Sequence, residues 1–136
     1  MTRAMVDDLM VQQQIKAPFK KWKHMVGVMC LNLTYRKHVK IVLPKLFAKY
    51  PNPKAYLRGR LKTQQQILKP LGMWQVRSKR IRKMTEDYLT WDGRDASELH
   101  GIGKYGSDSY QIFFNNFVPP NVQDKELKKY IDNMTR

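Results

Sequence analysis

Apolar residues recur at helical spacing along nearly the whole chain. Phe19, Trp22, Met25, Val26 and Met29 fall at three- and four-residue steps behind Pro18, a residue suited to a first helical turn. Val39, Val42, Leu43, Leu46 and Phe47 repeat the pattern, with Pro44 expected to kink that helix or lie near its boundary. "YPNPKAY" interrupts it, because Pro51 and Pro53 force extended or turn geometry. A short helix is predicted from Thr63, stopped by Pro70 and Gly72. Trp74, Ile81, Met84 and Tyr88 mark a strongly basic helix after it. "TWDGRDASEL" reads as a loop, with Ser97 placed to cap the turn that follows. Two further helices are expected from about 104 to 116 and 123 to 134. Strand signals are weak, so the predicted fold class is all-α.

Composition narrows the functional classes. With 136 residues, 42% hydrophobic and 11% aromatic, the chain is expected to form one domain over 1–136, with 1–10 a poorly ordered tail. No apolar run approaches the roughly 20 residues of a membrane span, so no membrane-spanning segment is expected. The single cysteine, Cys30, excludes an internal disulfide, a four-cysteine zinc site and a four-cysteine iron–sulfur cluster. No metal site is expected, and a reducing compartment, cytosol or nucleus, fits. The formal net charge is +15. Between Asp8 and Glu86 there is no carboxylate, while nineteen lysines and arginines fall in that interval. Such a field attracts a polyanion, most commonly nucleic acid. An anionic membrane surface or a ribosomal position competes with that reading on charge alone.

"LHGIGKYGSDSY" (99–110) places three of the chain's seven glycines within six positions, Gly101, Gly103 and Gly106. In a helix-hairpin-helix, a tight turn directs backbone N–H groups at a DNA phosphate, and glycine permits positive φ and close approach. The N-terminus of the next helix adds a favourable dipole. Leu99, His100, Gly101, Ile102, Gly103 and Lys104 fit such a hairpin, with Leu99 and Ile102 as apolar pins. A helix stop followed by a new helix would look similar. Downstream, Pro119 and Pro120 reverse the chain, and Asp124 opens the last helix. Asp124 is either a helix-start acid favoured by the dipole or a carboxylate facing the hairpin's ligand.

Four segments in unchanged order, "PFKKWKHMVGVMCLNLT", "LKPLGMWQVRSKRI", "ELHGIGKYGSDSYQIF" and "QDKELKKY", resemble the catalytic domain of the methyl-CpG-binding-domain thymine/uracil DNA glycosylases. The resemblance spans about residues 11 to 134, and the methyl-CpG-binding domain itself is not expected. It implies a helix-hairpin-helix glycosylase fold with the active site in a cleft between two helical lobes. It also implies excision of thymine or uracil opposite guanine from double-stranded DNA, leaving an abasic site, by a nuclear and monomeric enzyme. Chemistry on a base requires extrusion from the stack, and a mismatched pair opens at lower cost.

Residue by residue, Asp124 matches the family's catalytic aspartate, whose charge stabilises an oxocarbenium-like sugar or orients the attacking water. Tyr105 and Gln14 match positions lining the base pocket. Bifunctional relatives carry a Schiff-base lysine at the hairpin position of Tyr105. With Lys104 one residue off, a monofunctional enzyme without lyase activity is implied. Asn32 and Leu33 of "LNLT" and Leu71, Gly72 and Met73 of "PLGM" match two wedge loops that fill the gap left by the flipped base. Two departures stand out. Leu33 replaces the family's arginine, and Lys125-Glu126 stands where the family tends to show histidine then lysine. A weakened or inactive DNA-binding descendant is therefore the alternative. No cofactor is implied, although backbone carbonyls of such hairpins can hold a monovalent cation. Most of Arg77, Lys79, Arg80, Arg82 and Lys83 is expected on a solvated face, with two or three residues at phosphates.

Overall fold

A computed structural model describes residues 18–134. These form α1 (Lys20–Leu31), α2 (Arg36–Lys49), α3 (Pro53–Arg58), α4 (Leu61–Leu68), α5 (Trp74–Leu89), α6 (Lys104–Phe114) and α7 (Lys125–Met134). Short 3₁₀ turns at Lys69–Leu71 and Ala96–Glu98 precede α5 and the glycine hairpin. No strand occurs among the described residues. The all-α expectation therefore holds.

α1 is the axis. The sequence pattern suggests a one-sided helix, yet every residue from Trp22 to Cys30 is buried, Lys23 and His24 included. The reason is topological: α1 packs against α2 and α5 on one side and α6 on another. Its polar groups are accommodated individually. Trp22 Nε1 donates to Thr85 Oγ1 at 3.0 Å, and Lys23 Nζ sits 5.7 Å from the centre of the Phe47 ring. Residues Met25, Leu43, Leu46, Tyr56, Leu68, Ile81, Met84, Leu99 and Tyr110 close the core around the helix.

Several local features differ from the sequence reading, among them the start of α4 at Leu61 rather than Thr63. α1 starts at Lys20, one residue past Phe19, whose left-handed backbone (φ 67, ψ 37) keeps Pro18 outside the helix. α2 runs through Pro44 without ending there. Burial of Val42, Leu43, Leu46 and Phe47 outweighs the backbone hydrogen bond that proline forfeits. "YPNPKAY" is not only a break: Asn52 accepts the Ala55 N–H at 2.8 Å, and Pro53 opens α3 as a first-turn proline. Before the hairpin, Asp95 rather than Ser97 is the cap, and its carboxylate accepts from the Ser97 N–H and hydroxyl. Those two bonds hold the Asp95 carboxyl below the usual carboxylate range.

Candidate active-site cleft

Four segments distant in sequence converge on one cavity of about 560 Å³. Its walls are the C-terminal part of α1 with Asn32 and Leu33, the Met73 end of α5 with Val76, Arg77 and Arg80, the hairpin from Gly101 to Gly106, and Asp124. The cavity is the size of a small-molecule or nucleotide site. Three cationic side chains, Arg77, Arg80 and Lys104, line it against one carboxylate, Asp124.

The hairpin is built from its glycines outward. Gly101 has φ +80, a conformation that L side chains rarely adopt, and a Cβ there would lie 2.8 Å from Met29 Cε. Gly106 lies where α6 meets α1, and a Cβ there would come within 2.8 Å of Ile102 and 3.0 Å of Val28. Leu99 and Ile102 are buried beneath the turn. The Ile102 N–H donates to the Leu99 carbonyl at 3.1 Å. The His100 side chain is exposed, but its backbone N–H donates to Asp87 Oδ2 at 3.0 Å and so points back into the protein. Gly103 and Lys104 face the cavity at the start of α6, where the helix dipole favours an anion.

Tyr105 lies in the cavity wall, half-buried. Lys104 also borders the cavity, with its ammonium bonded to Asp108 Oδ2 at 3.1 Å one turn along α6. Asp124 is half-buried at the N-terminus of α7. Its Oδ2 accepts the Leu127 N–H at 2.9 Å, so the carboxylate both caps α7 and borders the cavity. The two readings of Asp124, helix cap and site carboxylate, are thus compatible in one geometry. α7 is held by buried Leu127 and by Tyr130, whose ring centre is 4.7 Å from that of Phe113 on α6.

The two loops opposite the hairpin share an unusual backbone. Leu33 (φ 56) and Met73 (φ 48) are both non-glycine residues in the left-handed region, and both are exposed, at 81% and 52%. Thr34 braces the first loop, its hydroxyl donating to the Asn32 carbonyl at 3.0 Å. Leu71 is buried and anchors the second, and the Gly72 N–H donates to the Lys69 carbonyl at 3.0 Å. Exposed apolar tips in strained backbone conformations are a recurrent mark of functional loops. Gln14 lies outside the described residues.

Arg77 takes neither of the places expected for the basic residues of α5, a solvated face or a phosphate contact. It is 7% exposed, and its guanidinium donates to the carbonyls of Met29 (3.0 Å), Asn32 (3.0 Å) and Gly72 (3.2 Å). The signal was in the spacing: Trp74, Arg77, Ile81 and Met84 step by three and four along one face. Arg82 is likewise committed, to the carbonyls of Leu57 and Gly59 and to Gln64 Oε1. Cys30 is fully buried on α1, and burial pushes its thiol up to about 12, opposed in part by Arg77. Among the described residues no group of three or more His, Cys, Asp or Glu is arranged to hold a metal.

No family model matches the chain. The methyl-CpG-binding domain protein 4-like protein of Arabidopsis thaliana is 32% identical over 114 residues, which cover 82% of this chain. The match spans 25% of that relative's length. Among solved structures, a thermostable thymine-DNA glycosylase superposes with a TM-score of 0.65 at 15% identity, over 85% of this chain and 60% of its own. A non-covalent endonuclease III–DNA complex gives 0.62 at 15% identity, over 99% of this chain and 78% of its own. A trapped endonuclease III–DNA covalent intermediate also gives 0.62, at 16% identity, over 85% and 62%. The chain has the all-α fold of these helix-hairpin-helix DNA glycosylase structures.

Proposed function

We propose that the protein is a monofunctional DNA glycosylase that removes thymine or uracil from G·T and G·U mismatches in double-stranded DNA, acting in the nucleus as a monomer. The observation that carries the reading is the position of Asp124, whose carboxylate borders the same cavity as the glycine hairpin and the Leu33 and Met73 tips. Similarity to the methyl-CpG-binding domain protein 4-like protein and to a thymine-DNA glycosylase supports it.

In this mechanism the hairpin and the start of α6 bind a backbone phosphate, as the glycine geometry and helix dipole favour. The two apolar tips occupy the gap in the stack while the pyrimidine turns into the cavity beside Tyr105. The N-glycosidic bond breaks with its electron pair leaving on the base. The positive charge left on the sugar is stabilised by Asp124, and water adds to the anomeric carbon, its surplus proton ending on the expelled base anion, to leave an abasic site and the free pyrimidine. Lyase chemistry would need a free amine as nucleophile. Tyr105 has none, and the Lys104 ammonium is engaged by Asp108.

The test is a labelled duplex carrying G·T or G·U, incubated with the protein and then treated with alkali. Alkali-dependent cleavage by the native chain and none by Asp124→Asn is expected. Cleavage without alkali would refute monofunctionality, and binding without abasic product would refute the enzyme. That last outcome would favour a non-catalytic DNA-binding protein, the reading that the apolar Leu33 tip supports.

A further inference from the structure

We propose that Arg77 ties the two loop tips into one wedge, so that Leu33 and Met73 enter a duplex as a unit. It is a positioning residue for base extrusion, acting through the loops rather than on the reacting sugar. The inference rests on the glycosylase reading and deepens it.

The two tips belong to loops 40 residues apart in the sequence (33 and 73). One side chain bridges them. Nη1 of Arg77 reaches the Met29 and Asn32 carbonyls, which end α1 and lead into Leu33, while Nε reaches the Gly72 carbonyl beside Met73. The planar fork of a guanidinium meets acceptors in several directions at once, which a lysine ammonium on a flexible stem does not reproduce. α1 has no basic residue in its own last turn. Arg77 therefore also supplies the cation that its C-terminal carbonyls favour.

Burial of a guanidinium is unfavourable unless its donors are satisfied, so this arginine is held firmly only while both loops keep their carbonyls in place. The dependence runs in both directions. Leu33 and Met73 hold left-handed backbones that L residues rarely adopt, and these persist only where surrounding contacts over-determine them. The first turn of α5 completes the connection, since the Arg77 N–H donates to the Met73 carbonyl at 2.8 Å. Movement of one tip thereby strains the other.

The experiment compares Arg77→Lys and Arg77→Met with the native chain on uracil paired with guanine and on the same uracil in single-stranded DNA, where no extrusion from a pair is needed. Single-turnover excision from the duplex is expected to fall about tenfold or more beyond any loss on the single strand. The fluorescence rise of 2-aminopurine placed beside the lesion should shrink in parallel. Equal losses on both substrates, or none on either, would overturn the proposal. Should the variants not fold, Leu33→Ala, Met73→Ala and their combination decide it in a chain that keeps Arg77. A coupled wedge predicts that the double variant loses little more than the worse single one. Losses that multiply mean independent tips and overturn it. A native chain inactive on both substrates refutes the proposed function instead, and the coupling is then read from 2-aminopurine on binding alone.

Discussion

Asp124 both caps α7 and borders the cavity, and substitution can separate its capping oxygen from its charge. Asparagine caps helices about as well as aspartate, so Asp124→Asn keeps an acceptor for the Leu127 N–H and removes only the charge. Alanine removes both. Urea denaturation is expected to find Asp124→Ala about 1 kcal/mol less stable than Asp124→Asn. Both variants should lose excision by about a hundredfold or more. Equal stabilities would show the cap to be immaterial, and an active asparagine variant would remove Asp124 from the chemistry. The sequence displays both roles of this residue but not their coincidence, because the cap is local and the cavity is assembled by α1, α5 and the hairpin. Arg77 is the converse. Its apolar register is visible in the sequence, but the five basic residues of α5 give no sign of which one is buried, since burial of Arg77 depends on acceptors from Met29, Asn32 and Gly72 supplied by distant segments. Leu33 and Met73 were legible only through family resemblance, because nothing in a leucine or a methionine announces a left-handed backbone.

At the scale of elements, periodicity recovered the order and class of the long helices because their apolar residues recur at three- and four-residue steps, even in α1, which is buried all round from Trp22 to Cys30. At Pro44 it left a kink or a boundary open, of which the structure excludes the boundary, and it missed α3 altogether. Pro44 carries a local penalty that packing of Val42, Leu43, Leu46 and Phe47 overrides, and α3 is too short at six residues to display a period. The contact of α1 with α6 holds a group with its own pH signature. His24 Nε2 lies 2.9 Å from Ser109 Oγ, which itself donates to the Gly106 carbonyl at 2.9 Å. The serine hydrogen being committed, His24 donates through Nε2. Burial lowers its pKa from 6.5 to about 3. The unfolded chain therefore takes up a proton as pH falls through 6.5, while the folded chain does not until near 3. This contribution to stability is whole above 6.5 and declines as pH falls towards 3, with a slope approaching about 1.4 kcal/mol per pH unit. Urea titrations from pH 7 to 4 should show a shallower decline in His24→Gln. Parallel curves for the two proteins would refute the assignment.

For the whole molecule, a net charge of +15 says less about DNA contacts than its deployment does. On α5 the five basic residues divide sharply. Arg77 and Arg82 are engaged with backbone carbonyls, and Lys83 pairs with Asp87 at 3.3 Å. Lys79 and Arg80 are exposed, and Arg80 borders the cavity. Counterion release counts phosphates neutralised rather than charges carried. With about four to six phosphate contacts, the slope of log K against log salt is expected near −4 to −5 rather than at the much steeper value that the whole charge would give. Fluorescence anisotropy with a labelled duplex between 50 and 300 mM potassium chloride measures it. Arg80→Ala should flatten the slope by about one unit. Arg82→Ala should leave it unchanged while lowering the urea midpoint, because its donors hold the α3–α4 turn. A flattened slope in Arg82→Ala with none in Arg80→Ala would reverse this division, and would place the DNA on the α3 side of α5 instead of across the cavity.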